Sequence, residues 1–333
     1  MVLCGLFEVT ASGAAMEEAQ AMPVPAAESE ATSQPLRDRR YPWVTITTLV
    51  ICTGVFVGIQ LDGSEDRLSH WGYGSAFAIW NDNALWTLVS SAFVHQEVWH
   101  VGFNAYWLWK LGSVVEPVMG RWKFLVFLIA TAFISSAAQL AFSDSTGIGA
   151  SGVVYALFGF AWMLRSRHDT FRRVLAGNVA TVFFAWLAVS WVILGDLVGN
   201  AAHLGGLLAG MLFAEVFMLK RKPRLAKAGA ITLTLFSVGV SLVCPWSGTW
   251  WSVIGYSFHN DHEYRQAIGA YGLSLKLTPD QPWVLGNLVR AKWSAGDDKG
   301  ASETLGRLKA VDPEAAARLE GSCETPSSDS ASK

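Results

Sequence analysis

Long apolar stretches recur along this chain between short charged connections, and they constrain its fold more than any other feature. Seven runs approach or exceed the length needed to cross a hydrocarbon core of roughly 30 Å. They cover residues 42–61, 99–118, 122–142, 150–164, 174–194, 201–219 and 226–244. A backbone in lipid must satisfy its hydrogen bonds within itself, so such runs predict helices. The expected fold is all-α: a polytopic membrane bundle of six spans plus a seventh, followed by a small helical repeat domain. Of 333 residues, 52% are hydrophobic and only 16% charged, against roughly a quarter charged in a soluble chain. That balance points to the lipid bilayer as the surrounding medium, and no nucleic-acid partner is expected.

Basic residues predict the orientation. One set of alternate connections carries Arg37, Arg39 and Arg40; Arg121 and Lys123; Arg165, Arg167, Arg172 and Arg173; and Lys220, Arg221, Lys222, Arg224 and Lys227. The opposite connections, 62–98, 143–149 and 195–200, hold only Arg67. By the positive-inside rule the N-terminus is cytoplasmic, and seven spans then place the C-terminal domain outside the cell membrane. The first residues lack a basic start and a clean apolar run, so no cleaved signal peptide is expected. Residues 1–40 read as a disordered cytoplasmic tail. Cys4, Cys52, Cys244 and Cys323 stand far apart and suggest neither a zinc site nor a disulfide framework.

Polar side chains inside a span are costly and need a partner or a function. His100 and Asn104 open the second span, Gly149, Ser151 and Tyr155 the fourth, and His203, Gly206 and Gly210 the sixth. Measured from the cytoplasmic edges at about 1.5 Å per residue, Ser151 lies roughly 20 Å up, and His203 and His100 roughly 24 Å up. The three clusters thus share one depth below the outer surface. His100 and Asn104, Ser151 and Tyr155, and His203, Gly206 and Gly210 each share one helix face. Glycines at four-residue spacing let helices approach closely, which would bring His203 within reach of Ser151 as an activated nucleophile. Spacing alone leaves other readings open. A serine in a span often bonds back to a carbonyl one turn away, and a His–Ser pair could line an ion path. Against transport, no acidic residue lies deep in spans three to six.

The motifs His100-x-x-x-Asn104, Gly149-x-Ser151-Gly152 and Ala202-His203-x-x-Gly206-x-x-x-Gly210 resemble those of the rhomboid family of intramembrane serine proteases. The likeness covers about residues 42–219 and extends to the turn Gly112-Ser113-Val114-Val115-Glu116. It implies a dyad with Ser151 as nucleophile and His203 as base. His100, Asn104 and the Ser151 amide would hold the oxyanion, Gly149 would keep the loop tight, and Tyr155 would pack on the His203 ring. Expected substrates are single-span transmembrane proteins cut near the outer membrane boundary, with no metal or organic cofactor. The alternative is a catalytically inactive rhomboid-like protein that binds transmembrane helices, with the tail as adaptor. Many family members carry Trp-Arg in the first outer loop where this chain has Trp86-Thr87; the departure bears on the loop's anchoring, not on the dyad. His95, five residues before His100, is a candidate for structuring this loop or the oxyanion side. Trp80, Trp99, Trp246, Trp250 and Trp251 read as interfacial anchors.

These readings divide the chain into a protease core at 41–220, a linker with the seventh span at 221–246, a helical domain at 247–320 and a disordered tail at 321–333. In the helical domain Pro279 and Pro313 stand 34 residues apart, as do Ala267 and Ala301. That period resembles the tetratricopeptide repeat, and implies a protein partner for the tail.

Overall fold

The computed structural model describes residues 41–195 and 198–324. The predicted N-terminal tail, 1–40, lies outside them. Among the described residues the regular structure is helical, apart from one isolated antiparallel bridge, Ser75 to Ser145. Seven helices follow the apolar runs: α1 Trp43–Leu61, α2 Val98–Met119, α3 Arg121–Phe142, α4 Ser151–Leu164, α5 Val179–Val189, α6 Asn200–Ala214 and α7 Pro223–Leu242. Short π-type segments, Ser190–Leu194 and Glu215–Leu219, extend α5 and α6. By length and composition α1, α3, α7 and α6 with its extension can each cross a bilayer, while α4 and extended α5 are shorter apolar helices. The chain is a multi-pass membrane protein.

The helix boundaries have local causes. Gly120, at φ +82°, closes α2 and turns the chain directly into α3, a conformation open chiefly to glycine. Pro223 begins α7, where its missing N–H costs nothing. The first turn of α1 has no capping side chain of its own. Its orphan donors are met instead by the buried carboxylate of Glu116 on α2, which accepts from Val44 N at 3.0 Å and from Thr45 N and Oγ1 at 2.8 Å each. An anion at a helix N-terminus is also favoured by the helix dipole.

The bundle core gathers Leu108, Leu111, Phe124, Phe127, Leu157, Phe158 and Phe160. Within it α4 and α6 approach most closely. A side chain on Gly206 would strike the Gly152 carbonyl, and one on Gly210 the Ala156 carbonyl. Gly159 faces the Leu207 carbonyl in the same way. Backbone therefore packs on backbone along this seam, as small residues permit in lipid.

Five further helices follow: α8 Gly248–Asn260, α9 Tyr264–Leu277, α10 Pro282–Ser294, α11 Asp298–Val311 and α12 Pro313–Glu324. The starts of α8 and α10, and of α9 and α11, recur at 34 residues, and Ala267 and Ala301 are both fully buried. The helix α12 enters the stretch expected to be disordered from residue 321, because Ala316 and Leu319 are buried against the domain core; residues 325–333 lie outside the description.

Two expected interfacial tryptophans are packing residues instead. Trp80 donates its indole N–H to Val240 O at 3.2 Å, and Trp80 and Trp250 pack against one cluster with Leu88 and Leu140. The loop between α1 and α2 is anchored without an arginine after Trp86. Thr87 is buried, its hydroxyl donates to Ala84 O at 2.6 Å, and Gly74 closes against its side chain.

Candidate active site

Ser151 is the first residue of α4, His203 the fourth of α6 and His100 the third of α2. Three helices therefore begin together around one spot. His203 Nε2 and Ser151 Oγ are 2.8 Å apart, held there by the glycine seam below them. The His203 ring is 4% exposed and stacks on Tyr155, with centroids 4.6 Å apart and planes at 24°. The Tyr155 hydroxyl donates to Phe183 O at 2.9 Å, so the ring is fixed from α5. Among the described residues His203 Nδ1 has no hydrogen-bond partner, and no carboxylate joins the pair as a third member.

The opposite wall is polar. Gly149 sits at φ +96° directly before this helix start, and a Cβ there would come within 2.6 Å of His100 Nε2 and 3.3 Å of Asn104 Nδ2. Two potential donors thus converge on a place kept open by the absence of a side chain. Because Ser151 begins α4, its N–H has no partner within the helix. Ser151, His203, His100, Asn104 and Tyr155 all border one cavity of about 330 Å³. Trp99, Phe103 and Trp186 form part of its apolar rim. Of the residues expected at the site, Ser151, His203, His100, Asn104 and Tyr155 meet at this cavity, Gly206 and Gly210 lie on the seam, and Gly149 faces His100 and Asn104.

Residues 82–220 match the model of the Rhomboid domain. This stretch, and the site it contains, carries the likeness to the rhomboid family. It is 34% identical over 187 residues to the rhomboid protease GlpG of Serratia proteamaculans, and 34% identical over 184 residues to that of Yersinia pseudotuberculosis. Each match covers 54% of this chain and 64% of the relative. The domain match ends at residue 220, so α7 to α12 lie beyond it.

Sequence reasoning missed three supports of this site. Gln139 Oε1 accepts from Ala202 N at 3.2 Å, holding the start of α6 beside His203. Asn200 accepts from the Ser190 hydroxyl at 2.6 Å and donates to Gly195 O at 2.9 Å, tying the α5–α6 turn together. Glu116, noticed only as part of a motif, secures α1. For Gln139 and Glu116 the available signal was a polar residue inside a predicted span, which needs a partner in lipid; Asn200 lies in the connection just before the sixth span.

Proposed function

We propose that the chain is an intramembrane serine endopeptidase working through a Ser151–His203 dyad. The observation that carries this reading is the 2.8 Å approach of His203 Nε2 to Ser151 Oγ at the mouth of a helix bundle. His203 takes the hydroxyl proton as Ser151 Oγ attacks the scissile carbonyl. The tetrahedral oxyanion is met by the Ser151 N–H, His100 Nε2 and Asn104 Nδ2, donors that lie in place before charge develops. His203 then returns the proton to the leaving amine, and water releases the acyl group by the same steps in reverse. With no acidic partner at Nδ1, the stack on Tyr155 and the burial of the ring hold its orientation.

Substrates are single-span transmembrane proteins. Side chains on the cavity rim are apolar, as an entering helix requires, while the reacting atoms sit near helix starts at one shared depth. Basic connections place the N-terminus in the cytoplasm, so cleavage falls near the outer boundary. The C-terminal helices then stand outside, where their repeat-like hairpins suit a protein ligand. Incubating the purified protein with a single-span reporter in liposomes tests the reading. Cleavage by the wild type and none by Ser151→Ala or His203→Ala supports it; equal cleavage by the His203 variant would exclude the assigned base.

A further inference from the structure

His95 is fully buried, lies outside α2, and has no step in the chemistry above. Its hydrogen bonds define its state. Nδ1 is 3.1 Å from Phe93 O, which can only accept, so Nδ1 carries the proton. Nε2 must then be an acceptor, and the Ala150 N–H points to it at 3.4 Å. The third partner is Asn104, whose side-chain nitrogen is 3.2 Å from the same Nε2. A lone pair already facing an amide N–H cannot face a carbonyl oxygen, so Asn104 must turn its NH₂ toward His95 and its Oδ1 away. One N–H of Asn104 is then spent on His95, and the other remains for the space above Gly149.

We infer that His95 is a positioning residue that sets the amide orientation of Asn104 and couples it to the residue preceding Ser151. Without the imidazole, the Asn104 amide can turn over and present Oδ1 to a developing negative charge, which repels rather than stabilises it. The Ala150 contact adds a second effect. One ring nitrogen meets both the oxyanion donor on α2 and the backbone entering α4, so it fixes the spacing between the two walls of the site. Burial pushes the His95 pKa down to about 4, which keeps Nε2 an acceptor at neutral pH. This inference rests on the proposed protease reading.

A double-mutant cycle on the full-length protein with a single-span reporter tests it. His95→Leu should lower kcat about 100-fold, the size of losing one oxyanion donor, with little change in KM. In the Asn104→Ala background the same change should cost no more than about 3-fold, because no amide is left to orient. His95→Gln should recover part of the loss, since its amide can donate to Phe93 O and accept from Ala150 N–H. If His95→Leu does not fold, the cycle is read with His95→Gln. Losses that simply multiply across the two positions, or wild-type kcat in His95→Leu, would overturn the inference. Absence of any Ser151-dependent cleavage in the wild type would instead overturn the protease reading.

Discussion

Two interfaces in this molecule are built on opposite plans. Between α4 and α6 the contact consists of missing side chains, with Gly206 against Gly152 and Gly210 against Ala156. Between the C-terminal helices and the loop joining α1 to α2 it consists of large ones. Phe77 meets Trp283 edge-on at 5.3 Å and lies 6.0 Å from Tyr256. The difference follows from the medium. Lipid gives no reward for burying apolar surface, so helices associate by close fit and direct polar contact. Outside it, removing aromatic surface from water is itself favourable. The Ser151–His203 contact, at 2.8 Å, is mounted on the first kind of interface. The tail needs only attachment and uses the second.

Substitutions that exchange the two plans should break the molecule in different ways. Gly206→Leu forces a branched side chain into the Gly152 carbonyl and should cost roughly 100-fold or more in turnover, since misplacement of about 1 Å has that effect. Reporter cleavage in liposomes measures it, and wild-type rates would contradict the close-packing account. Glu116→Leu leaves Val44 N, Thr45 N and the Thr45 hydroxyl without their acceptor. It should lower stability by about 3 kcal/mol, read by thermal unfolding, while the protein that remains folded keeps its cleavage rate.

Acid should act through His95. Its folded pKa lies below the ordinary value of 6.5, at about 4, so the stability it contributes is complete above pH 6.5 and lost as pH falls toward 4. Between pH 7 and pH 4.5 the wild type should lose about 2 kcal/mol through this group. Thermal unfolding of His95→Gln at the two pH values should show a correspondingly smaller loss. The smallest effect belongs to the aromatic interface. Phe77→Ala should cost about 1 kcal/mol and raise protease sensitivity of the C-terminal helices, with cleavage by Ser151 within 2-fold of wild type.

Much of the bundle was legible because lipid imposes one answer on an apolar run of span length. The shared depth of His100, Ser151 and His203 followed from helix rise alone, and the glycine spacing of α6 predicted the face it presents to α4. The loop between α1 and α2 was not legible. Its path depends on single tertiary bonds, such as Ser90 Oγ to Gly72 O at 2.7 Å and Thr146 N to Gly74 O at 3.2 Å, which leave no periodicity. Trp80 and Trp250 misled for a related reason. Aromatic residues near span ends usually face the headgroups, but here α3, α7 and the loop between α1 and α2 supply protein partners. The end of α12 was missed because its Ser-rich, acidic composition outweighed two buried apolar positions.

The central claim is that His203 activates Ser151 across the α4–α6 seam. Its most direct test is the mass of the Ser151 peptide after treatment with a fluorophosphonate, in wild type and in His203→Ala of matched thermal stability. The account predicts a stoichiometric adduct on Ser151 in the wild type and almost none in the variant. Equal labelling of both, or an adduct on another serine, would contradict it.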